Sequence, residues 1–247
     1  MTKARKRKAL VETGDNMGNL RIWEIDLFRS MAIVLMVIFH TVVDLNRYYG
    51  TNIDYLNGFW YWEGKASALI FIFLAGLSSG FSKDNLTRGG KVLAYGMLIT
   101  LLTYIFFKEQ YIRFGILHLL GISMLLFPLV IKMNNLLLLI CAAVIAFAAI
   151  PVQSALVNTS LLLPFGVMYR GFTTLDYYPL IPYFSVFMLG IVAYRSYYYQ
   201  KRSLYRVSFN NKYITTLSKH SLAIYLIHQP VIIAIVFLYR VLTNSKI

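Results

Sequence analysis

The chain has 247 residues, of which 58% are hydrophobic and 14% charged, with a mean hydropathy of +0.61; soluble domains average about 45–50% apolar and about 25% charged, so these values exclude an ordinary soluble domain and indicate an integral membrane protein. Net charge is +14, but the basic residues gather in particular loops, which points to anionic lipid headgroups as partners and away from nucleic acid. The single Cys141 excludes an intramolecular disulfide and a metal site built from cysteines.

The chain opens with a basic run, Lys3 to Lys8, then the polar stretch Glu12 to Asn19. This start lacks the apolar core of a cleavable leader. Residues 1–20 read as a disordered basic cytoplasmic tail, and 21–247 as a single transmembrane domain. A spanning helix needs about 20 predominantly apolar residues. The apolar runs are unbroken and do not alternate as barrel strands do. The fold class is therefore all-α, a polytopic membrane helix bundle with about seven spans.

The first span covers about Leu27 to Val43, preceded by Glu24 and Asp26, with Arg29 in its first turn. His40 and Asp44 lie at its far end, four apart and so on one helix face. Ionisable groups in a spanning helix are costly unless paired or turned to a polar cavity, so they mark a candidate site. The second span, about Phe59 to Phe81, begins with Glu63 and Lys65 and continues through Ala75, Gly76, Ser79 and Gly80. Small residues at this spacing let helices approach closely. A basic loop with Lys83, Asp84, Arg88 and Lys91 leads to the third span, about Val92 to Phe107. Arg113 then precedes the fourth, about Phe114 to Ile131, with His118 near its start. The fifth, Leu136 to about Val152, is uncharged. Gln153 to Tyr178 reads as a less regular segment with a short helix on or dipping into the membrane. The sixth span runs from about Pro179 to Tyr194 and is interrupted at Pro182. A basic, aromatic loop, Arg195 to Asn211, leads to the seventh, about Ser218 to Tyr239, which contains His228 and Gln229.

With the N-terminus cytoplasmic, most Lys and Arg fall in inner segments, as the positive-inside rule requires. The polar residues then form two layers. The outer one gathers His40, Asp44, Glu63, Arg113, His118, Asp176, Tyr178 and His228. Histidine titrates near neutrality, and a carboxylate partner fixes its tautomer, so His40 with Asp44 would suit general-base chemistry. Proton relay in a transporter and interhelical hydrogen bonding are the alternatives. No zinc signature of the His-Glu-x-x-His kind is present, and no metal is expected. The inner layer gathers Asp26, Arg29, Lys83, Arg88 and Arg202. Its cations are those of ordinary cytoplasmic loops, and would also suit the phosphates of a coenzyme A thioester.

Several motifs resemble a known family. Arg21-x-x-Glu24-Ile-Asp26-x-x-Arg29 leading to His40, Phe71 to Gly80, Arg113-Phe-Gly115-Ile-Leu-His118-x-x-Gly121, and Asp176 to Gly190 are similar to bacterial membrane proteins grouped with the catalytic domain of heparan-alpha-glucosaminide N-acetyltransferase. His220 to Pro230 resembles the closing helix of the wider membrane acyltransferase superfamily. The resemblance spans about Arg21 to Pro230. It implies a multi-pass protein of the bacterial inner membrane that moves an acetyl or other acyl group. The donor would be cytoplasmic acetyl-CoA, and the acceptor an amino sugar or other glycan on the outer side. That family is associated with a histidine in the loop after the first span, whereas Leu45 to Trp62 contains none. The mechanism expected here is therefore direct attack by the acceptor, with His40 as base oriented by Asp44. His118, Arg113 or His228 would stabilise the oxyanion, and Asp176 and Tyr178 would hold the acceptor. A proton-coupled small-molecule transporter and a non-catalytic membrane scaffold are the alternatives, and a homo-oligomer is compatible with either reading.

Overall fold

The computed structural model describes residues 22–205 and 211–243. The expected tail, Arg21 of the opening motif and residues 206–210 of the basic loop lie outside them. Helix α1, Trp23–Tyr49, has no glycine or proline within it and stops at Gly50, whose φ of 62° lies in the left-handed region that glycine adopts without a Cβ penalty. Helix α2 is Gly58–Phe81. Helix α3 is Asn85–Phe106, started by Asp84, whose carboxylate accepts from the Thr87 N–H at 2.9 Å. That cap begins the helix well before Val92, so Arg88 and Lys91 belong to its first turns and not to a loop.

Helix α4 is Ile116–Val130. Helix α5, Asn135–Phe147, is capped by Asn134, and α6 is Ala149–Ser154. The less regular segment that follows holds a parallel pair of two-residue strands, β1 Leu156–Val157 and β2 Met168–Tyr169, around a 3-10 turn at Leu163–Phe165. Helix α7, Leu180–Ala193, leaves helical geometry at Ile181, before a cis bond to Pro182, and ends in a wider π-type turn, Tyr194–Tyr198. The expected seventh span, from about Ser218, corresponds to α9, Ser221–Thr243, and is preceded across a break at His220 by a separate helix α8, Lys212–Lys219.

Six helical units are long and apolar enough to cross a membrane: α1, α2, α3, α5 with α6, α7 with its final turn, and α9. The protein is a multi-pass helical membrane protein. The remaining apolar helix, α4, has 15 residues; at 1.5 Å per residue it is about 22 Å long, less than the roughly 30 Å hydrocarbon core. It is enclosed by the bundle, with Leu117, His118, Leu119 and Met124 buried.

The core joins α2, α4, α5 and α7 through Ile72, Leu119, Leu138, Phe187 and Ile191. In lipid the tails are as apolar as the side chains, so close van der Waals packing holds helices together. Gly76 on α2 and Gly190 on α7 meet that need reciprocally. A Cβ at Gly76 would fall on the Phe187 carbonyl oxygen, and one at Gly190 on the Phe73 carbonyl oxygen. Ser67 Oγ donates across to the Ala32 carbonyl at 2.9 Å and ties α2 to α1.

Candidate functional site

Helices α1 and α9 bring His40 and His228 together, ring centroids 4.8 Å apart and planes at 81°. His40 Nδ1 lies 2.9 Å from the Met36 carbonyl oxygen, and His228 Nδ1 lies 2.6 Å from that of Tyr225. A carbonyl oxygen only accepts, so each neutral ring carries its proton on Nδ1 and presents a lone pair on Nε2. His228 Nε2 is buried with no hydrogen-bond partner among the described residues.

Asp44 is 2% exposed. Gln229 Nε2 donates to both of its oxygens, at 3.0 and 2.8 Å. The carboxylate thus fixes α9 beside His228, and the hydrogen bond that orients His40 comes from its own helix. Both oxygens of Glu63, on α2, and Oε1 of Gln229 are buried without partners among the described residues. Gly64, next to Glu63, faces the Phe39 ring on α1, which sets Glu63 near the depth of His40.

Tyr225 extends this cluster. Its ring centroid is 5.5 Å from that of His228, and it shares a narrow crevice with His118 and Asp176. His118 has a different arrangement. Its Nδ1 accepts from the Gly115 N–H at 3.2 Å, and its Nε2 lies 3.1 Å from Thr100 Oγ1, which donates to the Ile112 carbonyl at 2.7 Å. Its proton therefore sits on Nε2, and both nitrogens are occupied in locking the start of α4 to α3. Asp176 accepts from the Ile116 N–H at 2.9 Å. Enclosure pushes its carboxyl up to about 6, against the opposing pull of that N–H and of the Lys65 charge. Burial and the nearby Asp176 charge likewise raise the Tyr178 hydroxyl. Lys65 donates to the Tyr183 hydroxyl and stands over the rings of Tyr183, Tyr178 and Tyr61, at 4.8, 5.3 and 5.8 Å.

At the other end of the bundle, Asp26 Oδ1 accepts from Ser218 Oγ at 2.6 Å. Arg29 donates to Ser78 Oγ and, at 3.4 Å, to Ser218 Oγ. Ser30 Oγ reaches the Ile214 carbonyl at 2.8 Å. These bonds join α1 to α8 and α2. Glu24 accepts from Ser203 Oγ and the Leu204 N–H, which holds the loop after α7. Lys83 and Arg202 are exposed and Arg88 is half-buried. The structure thus brings His40 and His228 into contact, with Asp44 joined to the residue after His228 through Gln229, and places His118 and Asp176 beside Tyr225, while Tyr178 lies against Lys65. Gln229, Tyr225, Lys65 and Ser218 carry roles that the linear sequence does not reveal; the adjacency of Gln229 to His228 is the one local signal.

Residues 21–230 match the family model described as heparan-alpha-glucosaminide N-acetyltransferase, catalytic. The chain belongs to this family. No curated protein and no solved structure matches it. Membership places the protein among membrane enzymes of the acyltransferase type. The match extends over the whole cluster from Glu24 to Gln229.

Proposed function

We propose that the protein transfers an acetyl or related acyl group from a cytoplasmic coenzyme A thioester to an amine or hydroxyl of an amino sugar or other glycan at the outer face. The observation that carries this reading is the His40–His228 pair. Two neutral imidazoles carry their protons on Nδ1 and so present Nε2 lone pairs inside the bundle, as a base requires; the Nε2 of His228 is the one buried without a partner among the described residues. The acceptor lone pair forms a bond to the thioester carbonyl carbon and its proton passes to His40 Nε2. The C–S bond then breaks, and the thiolate takes up the proton. His228 supports the pair, and Glu63 and Asp176 face the acceptor.

On the inner side, Arg29, Lys83, Arg88 and Arg202, with Asp26 sharing Ser218 with Arg29, would meet the donor phosphates. Arg88 suits this because its half-buried guanidinium has no hydrogen-bond partner among the described residues. In this reading α4 completes seven crossings, the N-terminus is cytoplasmic, 21–247 is one domain, and the membrane is the bacterial inner membrane.

The test is transfer of labelled acetyl from acetyl-CoA to a panel of amino sugars and glycans in proteoliposomes. Covalent labelling is expected, with a loss of about 100-fold or more in His40→Ala, the scale of general-base catalysis. Normal turnover by His40→Ala would remove its role. Accumulation of unmodified solute with no labelled product would replace the enzyme with a transporter.

A further inference from the structure

An open cavity of about 540 Å³ lies between the end of α3 and the segment after α6, within the range typical of small-ligand sites. Its polar lining comes from Thr100, Tyr111, Arg113, Asn158, Ser160 and Tyr169. Arg113 uses one N–H on the Thr173 carbonyl, at 2.7 Å. The guanidinium is framed by the rings of Tyr111, Phe172 and Tyr169, at 4.0, 5.6 and 6.0 Å. No carboxylate pairs with it among the described residues, so its remaining donors are left for an anion, which a planar guanidinium binds in bidentate fashion. The amide, hydroxyl and phenol groups beside it suit a ligand rich in hydroxyls.

The place of the cavity is as informative as its lining. Two membrane-length units end a few residues before lining positions: α3 at Phe106, ahead of Tyr111, and α5–α6 at Ser154, ahead of Asn158. The segment that lines the cavity with Asn158 and Ser160 also leaves Leu161 and Phe165 exposed, and Phe106 at the end of α3 is 74% exposed. Exposed apolar side chains thus adjoin, near the ends of two membrane-length units, a lining that is largely polar and carries a cation.

We propose that this cavity holds the anionic, hydroxyl-rich head of a membrane-anchored lipid, with Arg113 on its phosphate and its chains in the bilayer beside Leu161 and Phe165. As a binding site the cavity stands alone. As the place where an acceptor is presented to the histidine pair, it rests on the acyl-transfer reading above.

The test uses the full-length protein in detergent, titrated with dioctanoyl phosphatidylinositol. Free inositol 1-phosphate and dioctanoyl phosphatidylcholine serve as comparisons. Saturable binding is expected for the first, at least ten-fold weaker binding for the other two, and a loss of about ten-fold in Arg113→Gln with partial recovery in Arg113→Lys. Asn158→Leu, which removes the amide from the cavity wall and leaves Arg113 in place, should weaken binding similarly and covers the case in which Arg113→Gln fails to fold. Equal binding of the free head would assign the site to a soluble ligand and overturn the lipid. Equal binding of phosphatidylcholine would overturn anion recognition. Undiminished binding by both variants, or no saturable binding, would overturn the site itself. The titration contains no acyl donor, so failure of the acyl-transfer reading would leave its outcome unchanged.

Discussion

Gln229→Leu tests the joint between α1 and α9. Asp44 is buried inside a spanning helix and receives both of its side-chain hydrogen bonds from Gln229 Nε2. Leucine keeps much of the volume and removes the donor. A buried acceptor left without its partner costs about 1–3 kcal/mol. For a chain of this size, 1 kcal/mol moves the melting temperature by roughly 2–4 °C, so a fall of roughly 4–8 °C is expected at about 2 kcal/mol. Asp44→Leu alone should lower it too, because Gln229 Nε2 then loses its acceptor. The double replacement should recover much of both losses, since neither stranded group remains. The assay is thermal melting of purified protein in one detergent, run as a double-mutant cycle. Strict additivity of the two single effects would refute the pairing. An unchanged melting temperature in Gln229→Leu would refute the claim that it stabilises the joint.

His118→Asn should lower stability by about 1–3 kcal/mol through the lost Gly115 and Thr100 bonds, while transfer per folded molecule stays close to wild type; a large loss in folded protein would return His118 to the chemistry. Gly190→Leu should give little folded protein on size exclusion, because its side chain meets the Phe73 carbonyl and overpacking costs about 1–3 kcal/mol or more. Asp176 keeps its proton to about 6 in the folded state, against 3.8 ordinarily. Between these values the unfolded chain releases a proton that the folded one retains, so wild-type stability should fall as pH rises from about 4 to about 6. Asp176→Asn should flatten that part of a melting-temperature profile, and a slope equal to wild type would contradict the assignment.

The long helices were legible because a membrane demands uninterrupted apolar runs, and His40, Asp44 and His228 stood out within them as costly residues. Their partnership was less legible. The four-residue spacing suggested that Asp44 orients His40, but helix geometry equally allows His40 to bond its own Met36 carbonyl and Asp44 to reach α9. The start of α3 was hidden because Arg88 and Lys91 resemble a loop until Asp84 is recognised as a cap. The break at His220 was hidden because α8 carries polar residues that only its packing on α1 explains. Which histidine is chemically available depends on tautomers, and those depend on carbonyl and N–H groups that no sequence pattern displays.

Helix α1 is pinned near one end by Ser218 of α8 on Asp26, and near the other by Gln229 of α9 on Asp44. The two pins are about 27 Å apart along the axis, and α8 and α9 adjoin at His220. The pair therefore works as a splint: a slip of 1 Å at one pin tilts α1 by only about 2° over that lever arm. A shift by one helical turn would break both pins at once. The long baseline converts two ordinary hydrogen bonds into angular precision for His40.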